Sequence, residues 1–203
     1  MRVKLGRLCI FLGIVLLMGA LALHLYNRME DNRAGDAVVN ILPQLVEQIP
    51  ESPKEEHLTE QLIPVEFREP EDLKMTEKVI DGDAYIGYLS IPKLELDLPI
   101  LSDWDYTLLQ KAPCRYTGST KTDDLVLMAH NYDKHFGRLS KLSVGDAVYF
   151  TDMDGIVSAY VVVGQDVLDP TAIEEMTSGD FDLTLFTCTY GGQNRVTIYC
   201  DRE

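Results

Sequence analysis

The 203-residue chain is strongly acidic, with 33 Asp and Glu against 18 Lys and Arg and a net charge of −15. Binding nucleic-acid phosphates, or docking on anionic lipid, requires clustered Lys and Arg. The composition therefore excludes a nucleic-acid partner and a basic lipid-docking patch. The remaining interpretation is that the charge keeps an extracytoplasmic protein soluble.

The first predicted element is a membrane-spanning helix over residues 8–25, which are apolar except for His24. Its length is near the lower end of the roughly 17–25 residues of a spanning helix. Basic residues precede it and acidic residues follow it, so the positive-inside rule places residues 1–7 in the cytoplasm and the rest outside the cell. A cleaved signal peptide is the alternative, because residues 20–22 form a small-x-small site. The apolar run is longer than the roughly 7–15 residues usual for such a signal, which favours a retained single-pass anchor in the cell membrane.

Residues 26–80 form the next segment, an acidic linker that contains five of the nine prolines. A short helix is predicted over residues 36–49, interrupted at Pro43. The remainder is predicted to be an extended stalk, because like charges repel and few apolar residues are available to pack.

Residues 81–203 have a different texture, with short apolar runs separated by turn residues. Seven strands are predicted, over residues 84–91, 96–101, 125–131, 146–151, 156–168, 181–188 and 195–201. A helical turn is expected over residues 103–112, with Trp104 packing it on the sheet rather than lining a groove. Seven to eight short strands with short helices predict an all-β domain, either a closed antiparallel barrel or a sandwich.

The last two predicted strands bring a cysteine and an arginine together. Side chains alternate along a strand, so Cys188 and Arg195 both lie on the more polar, outer face, whereas Cys200 points inward. If the loop over residues 189–194 closes a hairpin, Cys188 and Arg195 face each other. A histidine, His130, ends another apolar strand upstream.

These three side chains are sufficient for thiol acyl transfer. A thiolate is the nucleophile, and a nearby cation stabilises it. His130 can donate and accept the proton, and Arg195 can bind a developing oxyanion. Taken singly, each residue is more often structural: a buried cysteine, a strand-end histidine or a solvated arginine.

The sequence offers no metal or cofactor site. No cysteine pair has zinc-ligand spacing and no loop has calcium-ligand spacing, so we expect neither a metal nor a cofactor. Cys114 and Cys200 are predicted to be two buried thiols rather than a disulfide. His135, five residues after His130, is predicted to be an ordinary loop residue.

Residues 184–188 (TLFTC) resemble the Thr-Leu-x-Thr-Cys signature of the sortase family. Residues 86–94 (IGYLSIPKL) resemble its opening strand, and residues 98–100 (LPI) the continuation. His130 and Arg195 stand in the order of the family's histidine and arginine. The resemblance extends over residues 83–202 and implies the sortase β-barrel, without assigning a class. The short segment 169–180 argues against a long specificity helix.

The resemblance also implies a function. Cys188 would attack the Thr–Gly bond of a Leu-Pro-x-Thr-Gly-like sorting signal on a surface protein or pilin. The acyl group would pass to an amine of a peptidoglycan precursor or pilin. His130 would be the general acid and base, Arg195 would stabilise the oxyanion, and Thr187 would assist there. The alternatives are a non-catalytic binding or adhesion domain and another wall-modifying cysteine transpeptidase, whose Ser-His-Gly-Cys-like stretch is absent from the sequence.

Overall fold

The computed structural model describes residues 2–53 and 64–203 of the chain. A long helix, α1, precedes nine strands, and a short helix, α2, lies between the seventh and the eighth strand in the chain. The helices are α1 (Arg2–Gln48) and α2 (Ile173–Thr177). The strands are β1 (Lys78–Ile80), β2 (Asp83–Ile91), β3 (Leu96–Leu101), β4 (Cys114–Thr117), β5 (Leu125–Ala129), β6 (Ala147–Asp152), β7 (Val157–Leu168), β8 (Leu183–Cys188) and β9 (Arg195–Arg202).

The strands form one closed barrel, which confirms the predicted fold class. The sheet order is β1-β2-β3-β4-β5-β8-β9-β7-β6, and β6 also pairs with β2, so that eight strands close on themselves and β1 extends the start of β2. The prediction that all pairs are antiparallel was wrong, because β3–β4 and β5–β8 are parallel. The parallel β5–β8 pair puts the ends of these two strands at the same rim of the barrel.

The two strands that sequence reasoning missed are short. β1 has three residues and β4 has four, including a charged Arg115. Neither carries an apolar alternation long enough to be recognised, and both are stabilised by their neighbours in the sheet. Each of the seven predicted strands agrees with the structure within two residues at both of its ends.

The barrel interior is a single apolar core. Its largest fully buried side chains include Phe136, Phe150 and Tyr160. Leu185 and Cys200 also point into it, as the alternation along β8 and β9 predicted. The two strands that carry the candidate site are therefore anchored by their inward faces.

Helix α1 corrects the prediction for the segment after residue 25. The extended conformation predicted for residues 26–35 is wrong, because these residues are helical. The helix predicted over residues 36–49 is confirmed as far as Gln48, but Pro43 does not interrupt α1. Its C-terminal half packs on the outside of the barrel, where Leu45 is fully buried beside Tyr85 and Leu101. Tertiary packing of this kind overrides weak local propensity. The part of the predicted stalk at residues 54–63 lies outside the described residues.

The N-terminal half of α1 is long and apolar enough to cross a membrane. Its most apolar 18-residue window has a mean hydropathy of 2.6, and none of that window is buried. A membrane anchor and a signal sequence both have this character.

Candidate active site

The register of three adjacent strands brings the candidate residues together. Ala129 pairs with Thr187 in the parallel β5–β8 ladder, so His130, the next residue, lies beside Cys188. Cys188 pairs directly with Arg195 in the antiparallel β8–β9 ladder. The predicted Cys188–Arg195 pairing is thus confirmed, and the backbone positions of His130, Cys188 and Arg195 lie side by side at one rim of the barrel.

The loop between Cys188 and Arg195 is a compact hairpin connection. The Thr189 amide donates to the Asn194 carbonyl at 2.9 Å, and the Gly192 amide donates to the Thr189 carbonyl at 2.8 Å. Gly191 and Gly192 have φ of 91° and 76°, where a side chain would be strained. The guanidinium of Arg195 donates to the carbonyls of Gly192 and Asn194, both at 3.2 Å. Within residues 2–53 and 64–203 this guanidinium forms no ion pair within 4.0 Å, and the two hydrogen bonds hold it over its own loop.

Two further hydrogen bonds fix the strand that carries His130 against the strand that carries Cys188. The Thr187 hydroxyl, which is 3% exposed, donates to the Ala129 carbonyl at 2.8 Å. The Asn131 amide donates to the Thr189 carbonyl at 3.4 Å. Thr187 therefore holds the two strands in register, whereas its predicted role at the oxyanion stays a prediction.

The outer face of β8 is less exposed than its polar residues suggested. Thr184 and Phe186 share this face with Cys188, yet they are only 4% and 5% exposed. Met176 of α2 packs against Phe186 and covers the strand. Cys188 itself is half-buried at the end of the covered face. The thiol therefore lies at the end of a covered strand face rather than on an open surface.

The described cysteines fall into two kinds. Cys114, Cys188 and Cys200 are all free thiols, as predicted for Cys114 and Cys200. Burial is the main cause that raises the pKa of both Cys114 and Cys200 to about 12, so they stay protonated and unreactive near neutral pH. Cys188 is the one of these three that solvent reaches, and it has a histidine and an arginine beside it.

Burial also lowers the pKa of His130 below its usual value. A histidine with a lower pKa is a stronger acid when protonated, and it gives its proton to a leaving group more readily. No group of three or more His, Cys, Asp and Glu with metal-binding geometry occurs in the described ranges. The chemistry available at this rim is therefore nucleophilic attack by a thiol, assisted by an imidazole and a guanidinium.

The protein-family model of the sortase domain matches residues 89–203, which are more than half of the chain and include all of β5, β8 and β9. This chain belongs to the sortase family.

Known sortases are similar to it at moderate sequence identity. Sortase A of Bacillus anthracis is 28% identical over 140 residues, which are 66% of this chain and 66% of the length of that relative. The crystal structure of sortase C1 from Streptococcus suis is 32% identical, with a TM-score of 0.50, covering 59% of this chain and 73% of that one. The structure of Clostridium perfringens sortase C with the C-terminal cell wall sorting motif shares the fold at 22% identity and a TM-score of 0.58, covering 83% of this chain and 98% of that one.

The sequence did not predict that α1 packs against the loop that follows His130. The Lys134 amide donates to the Asp31 carboxylate at 3.1 Å, so the helix contacts this loop directly. The Tyr132 ring lies between His130 and His135, with centroid distances of 5.0 and 5.6 Å. No local motif in the sequence marks this contact, because its partners are about 100 positions apart.

His135 lies in the loop after β5, as predicted, and it is fully buried in this contact. Neither ring nitrogen has a hydrogen-bond partner of normal geometry among the described residues. Burial and the neighbouring His130 lower the pKa of His135 to about 4, although Asp31 and the Ala34 backbone favour its protonated form. The ring is held neutral between the helix and the loop.

The buried neutral ring of His135 predicts a loss of stability in mild acid. The unfolded chain takes up a proton as the pH falls through the usual histidine pKa of 6.5, whereas the folded protein does not until about pH 4. The stabilisation is complete above pH 6.5 and is lost between pH 6.5 and 4, a difference of about 3 kcal/mol in the free energy of unfolding. Denaturant titrations of the full chain at several pH values measure it.

The matching variant is His135→Phe, which keeps a ring and removes the titration. Its free energy of unfolding should fall less than that of the wild type over the same pH range. An unchanged pH dependence in the variant would mean that other groups cause the loss.

Proposed function

We propose that the chain is a cysteine transpeptidase that cleaves the Thr–Gly bond of a Leu-Pro-x-Thr-Gly-like sorting signal. The observation that carries this proposal is the register of β5, β8 and β9, which aligns His130, Cys188 and Arg195 at one rim. Membership of the sortase family supports the same reaction class.

In the first half-reaction, the thiolate of Cys188 attacks the carbonyl carbon of the threonine. The tetrahedral intermediate carries an oxyanion, to which Arg195 donates hydrogen bonds. The C–N bond to glycine then breaks, His130 gives its proton to the leaving amine, and a thioester joins the threonine to Cys188. A single well-placed oxyanion donor contributes about 10²–10³ in rate.

In the second half-reaction, an incoming amine attacks the thioester carbonyl. His130 accepts the proton that this amine loses, a new amide bond forms, and Cys188 leaves as the thiolate. The site is then in its starting state without a cofactor. Water attacking the same thioester would release a free acid instead, so the amine decides between transfer and hydrolysis.

The partners follow from this chemistry. We propose that the acyl donor is a surface protein or pilin with a C-terminal sorting signal. The acceptor is an amine of a peptidoglycan precursor or of a pilin. The structural neighbours named above include sortases C, one of them solved with a cell wall sorting motif, which supports a donor of this kind.

The location of the reaction follows from α1. We propose that residues 8–25 are a retained anchor, that residues 1–7 are cytoplasmic, and that residues 81–203 form the extracellular catalytic domain. Residues 26–80 connect the two. The apolar, unburied first half of α1 supports this arrangement.

The test uses the full chain, a sorting-signal peptide and hydroxylamine as the amine. We expect release of the C-terminal fragment and formation of a peptide hydroxamate, with a thioester-linked peptide on Cys188 that mass spectrometry detects. If the protein releases no fragment from any Leu-Pro-x-Thr-Gly-like peptide, the proposed activity is wrong. A scrambled peptide of the same composition is the control for non-specific cleavage.

A further inference from the structure

A row of four aromatic rings leads away from Cys188 along the outside of the barrel. We call Phe186, Tyr116, Trp104 and Tyr106 the ring row. Phe186 contacts Tyr116 edge to face, with ring centroids 5.4 Å apart. Tyr116 lies 5.6 Å from Trp104, and Trp104 lies 6.1 Å from Tyr106.

Exposure increases along the ring row. Phe186 is 5% exposed, Trp104 is 40% exposed and Tyr106 is 78% exposed. Phe186 thus belongs to the covered face of β8, whereas the rings of Trp104 and Tyr106 are accessible to solvent. An exposed tryptophan next to an exposed tyrosine is more typical of a binding surface than of packing.

The dimensions of the ring row match an extended peptide whose threonine lies at Cys188. Phe186 is two residues from Cys188 on the same strand face, about 7 Å away, and an extended peptide advances about 3.3 Å per residue. For a peptide that runs from Cys188 along β8 towards Phe186, Phe186 is level with the proline of the sorting signal. The ring row continues from there through Tyr116 of β4 to Trp104 and Tyr106, so that the two outer rings lie on the side of the residues that precede the motif.

The charge around the outer rings identifies the side chain that they would bind. Asp103 and Asp105 flank Trp104 and are exposed. The negative potential of both carboxylates extends to Cys114, because they raise the pKa of this thiol in addition to the larger increase that its burial causes. An aromatic face bordered by carboxylates attracts a cation, and tryptophan is the ring that binds one best.

We propose that Trp104, Tyr106 and Asp103 form a subsite for a lysine or arginine side chain one to three positions before the leucine of the sorting signal. This inference rests on the proposed function, which supplies the position and direction of the peptide. It assigns a preference outside the five-residue motif. Trp104 and Tyr106 contribute their ring faces, and Asp103 contributes its charge.

Binding can be measured directly, because Trp104 is the one tryptophan of the whole chain. The full-length Cys188→Ala variant, kept in detergent, is titrated with tyrosine- and tryptophan-free peptides. The peptides carry Lys, Leu or Glu two positions before the motif. We expect a saturable change in tryptophan fluorescence, with the Lys peptide binding most tightly and its advantage declining at high salt.

Turnover by the protein with Cys188 intact provides the second measurement. Trp104→Ala and Asp103→Asn should each raise KM for the Lys peptide by about two- to fivefold, the range of an exposed cation–π contact, and leave kcat unchanged. The control is Val144→Ala, an exposed residue outside the ring row that should leave both constants unchanged.

The outcomes separate the two proposals. Cleavage of all three peptides with equal KM, and with fluorescence unaffected, would overturn the subsite and leave the transpeptidase proposal intact. Fluorescence-detected binding with no cleavage of any peptide by the protein with Cys188 intact would overturn the proposed activity.

Discussion

Replacing Cys188 by alanine is expected to abolish both fragment release and hydroxamate formation. The thiolate supplies the bonding electron pair in the first half-reaction, and no neighbouring side chain replaces it. His130 and Arg195 assist the attack but form no acyl bond in the proposed mechanism. Quantifying the fragment by chromatography, with the variant at the same concentration as the wild type, measures the effect. We expect a loss of at least about 10³, the scale on which a removed nucleophile acts.

The matched controls are the other two cysteines in the described barrel. Cys200→Ala removes a thiol that faces the core and has a pKa of about 12, so it should change stability rather than the reaction. Cys114→Ala is the second control, on the outer side of the barrel under α1. Persistent cleavage in Cys188→Ala, or its loss in a folded Cys200→Ala, would reassign the nucleophile.

One half of the candidate site is local in sequence, which is why it was predictable. Cys188 and Arg195 end the two strands of a hairpin, and the alternation of apolar residues fixes which faces they occupy. A glycine pair in the loop adds the turn signal. The pairing of Cys188 with Arg195 and the strand faces that they occupy therefore follow from a stretch of about 20 residues.

The other half depends on topology. His130 lies beside Cys188 because β5 and β8 are parallel, a pairing between segments about 60 positions apart. Nothing within either strand specifies that neighbour, and without the resemblance to sortases the sequence left barrel and sandwich open. Family motifs supplied the order of the residues along the chain, whereas the parallel pair puts their positions side by side.

The continuity of α1 beyond residue 25 was not predictable from local composition. Acidic residues favour an extended linker over residues 26–35, and Pro43 favours a break in the helix predicted after them, yet the helix is continuous to Gln48. The decisive contribution is apolar burial, since Ala34, Val38 and Leu45 lie against the barrel at 7% exposure or less. These residues follow helical spacing, but in an acidic background the pattern is too sparse to stand out.

The docking of α1 also connects its apolar N-terminal half to the candidate site. The same helix that begins with the apolar segment contacts the loop after His130 through Asp31 and covers His135. The loop is consequently held between the barrel rim and the helix. We infer that the stability of this packing and the position of His130 are coupled.

Leu45→Ala tests the packing of α1 where it is tightest. Leu45 is 0% exposed and lies in an apolar cluster with Ile41 of its own helix, Ile49 just beyond the helix end, and Tyr85 and Leu101 of the barrel. Truncating a fully buried leucine loses its transfer free energy and leaves a cavity, at a cost of about 2–5 kcal/mol. This is a large part of the roughly 5–15 kcal/mol by which a domain is stable. Denaturant unfolding of the full chain, followed by the fluorescence of Trp104, measures it.

The neighbouring residue provides the matched control. Val46 is 48% exposed, so Val46→Ala should change the free energy of unfolding by less than about 0.5 kcal/mol. If Leu45→Ala were equally mild, α1 would not be docked on the barrel in solution. If Leu45→Ala is destabilised as expected, its hydroxamate yield at temperatures well below unfolding should also decline, because the loop of His130 loses part of its support.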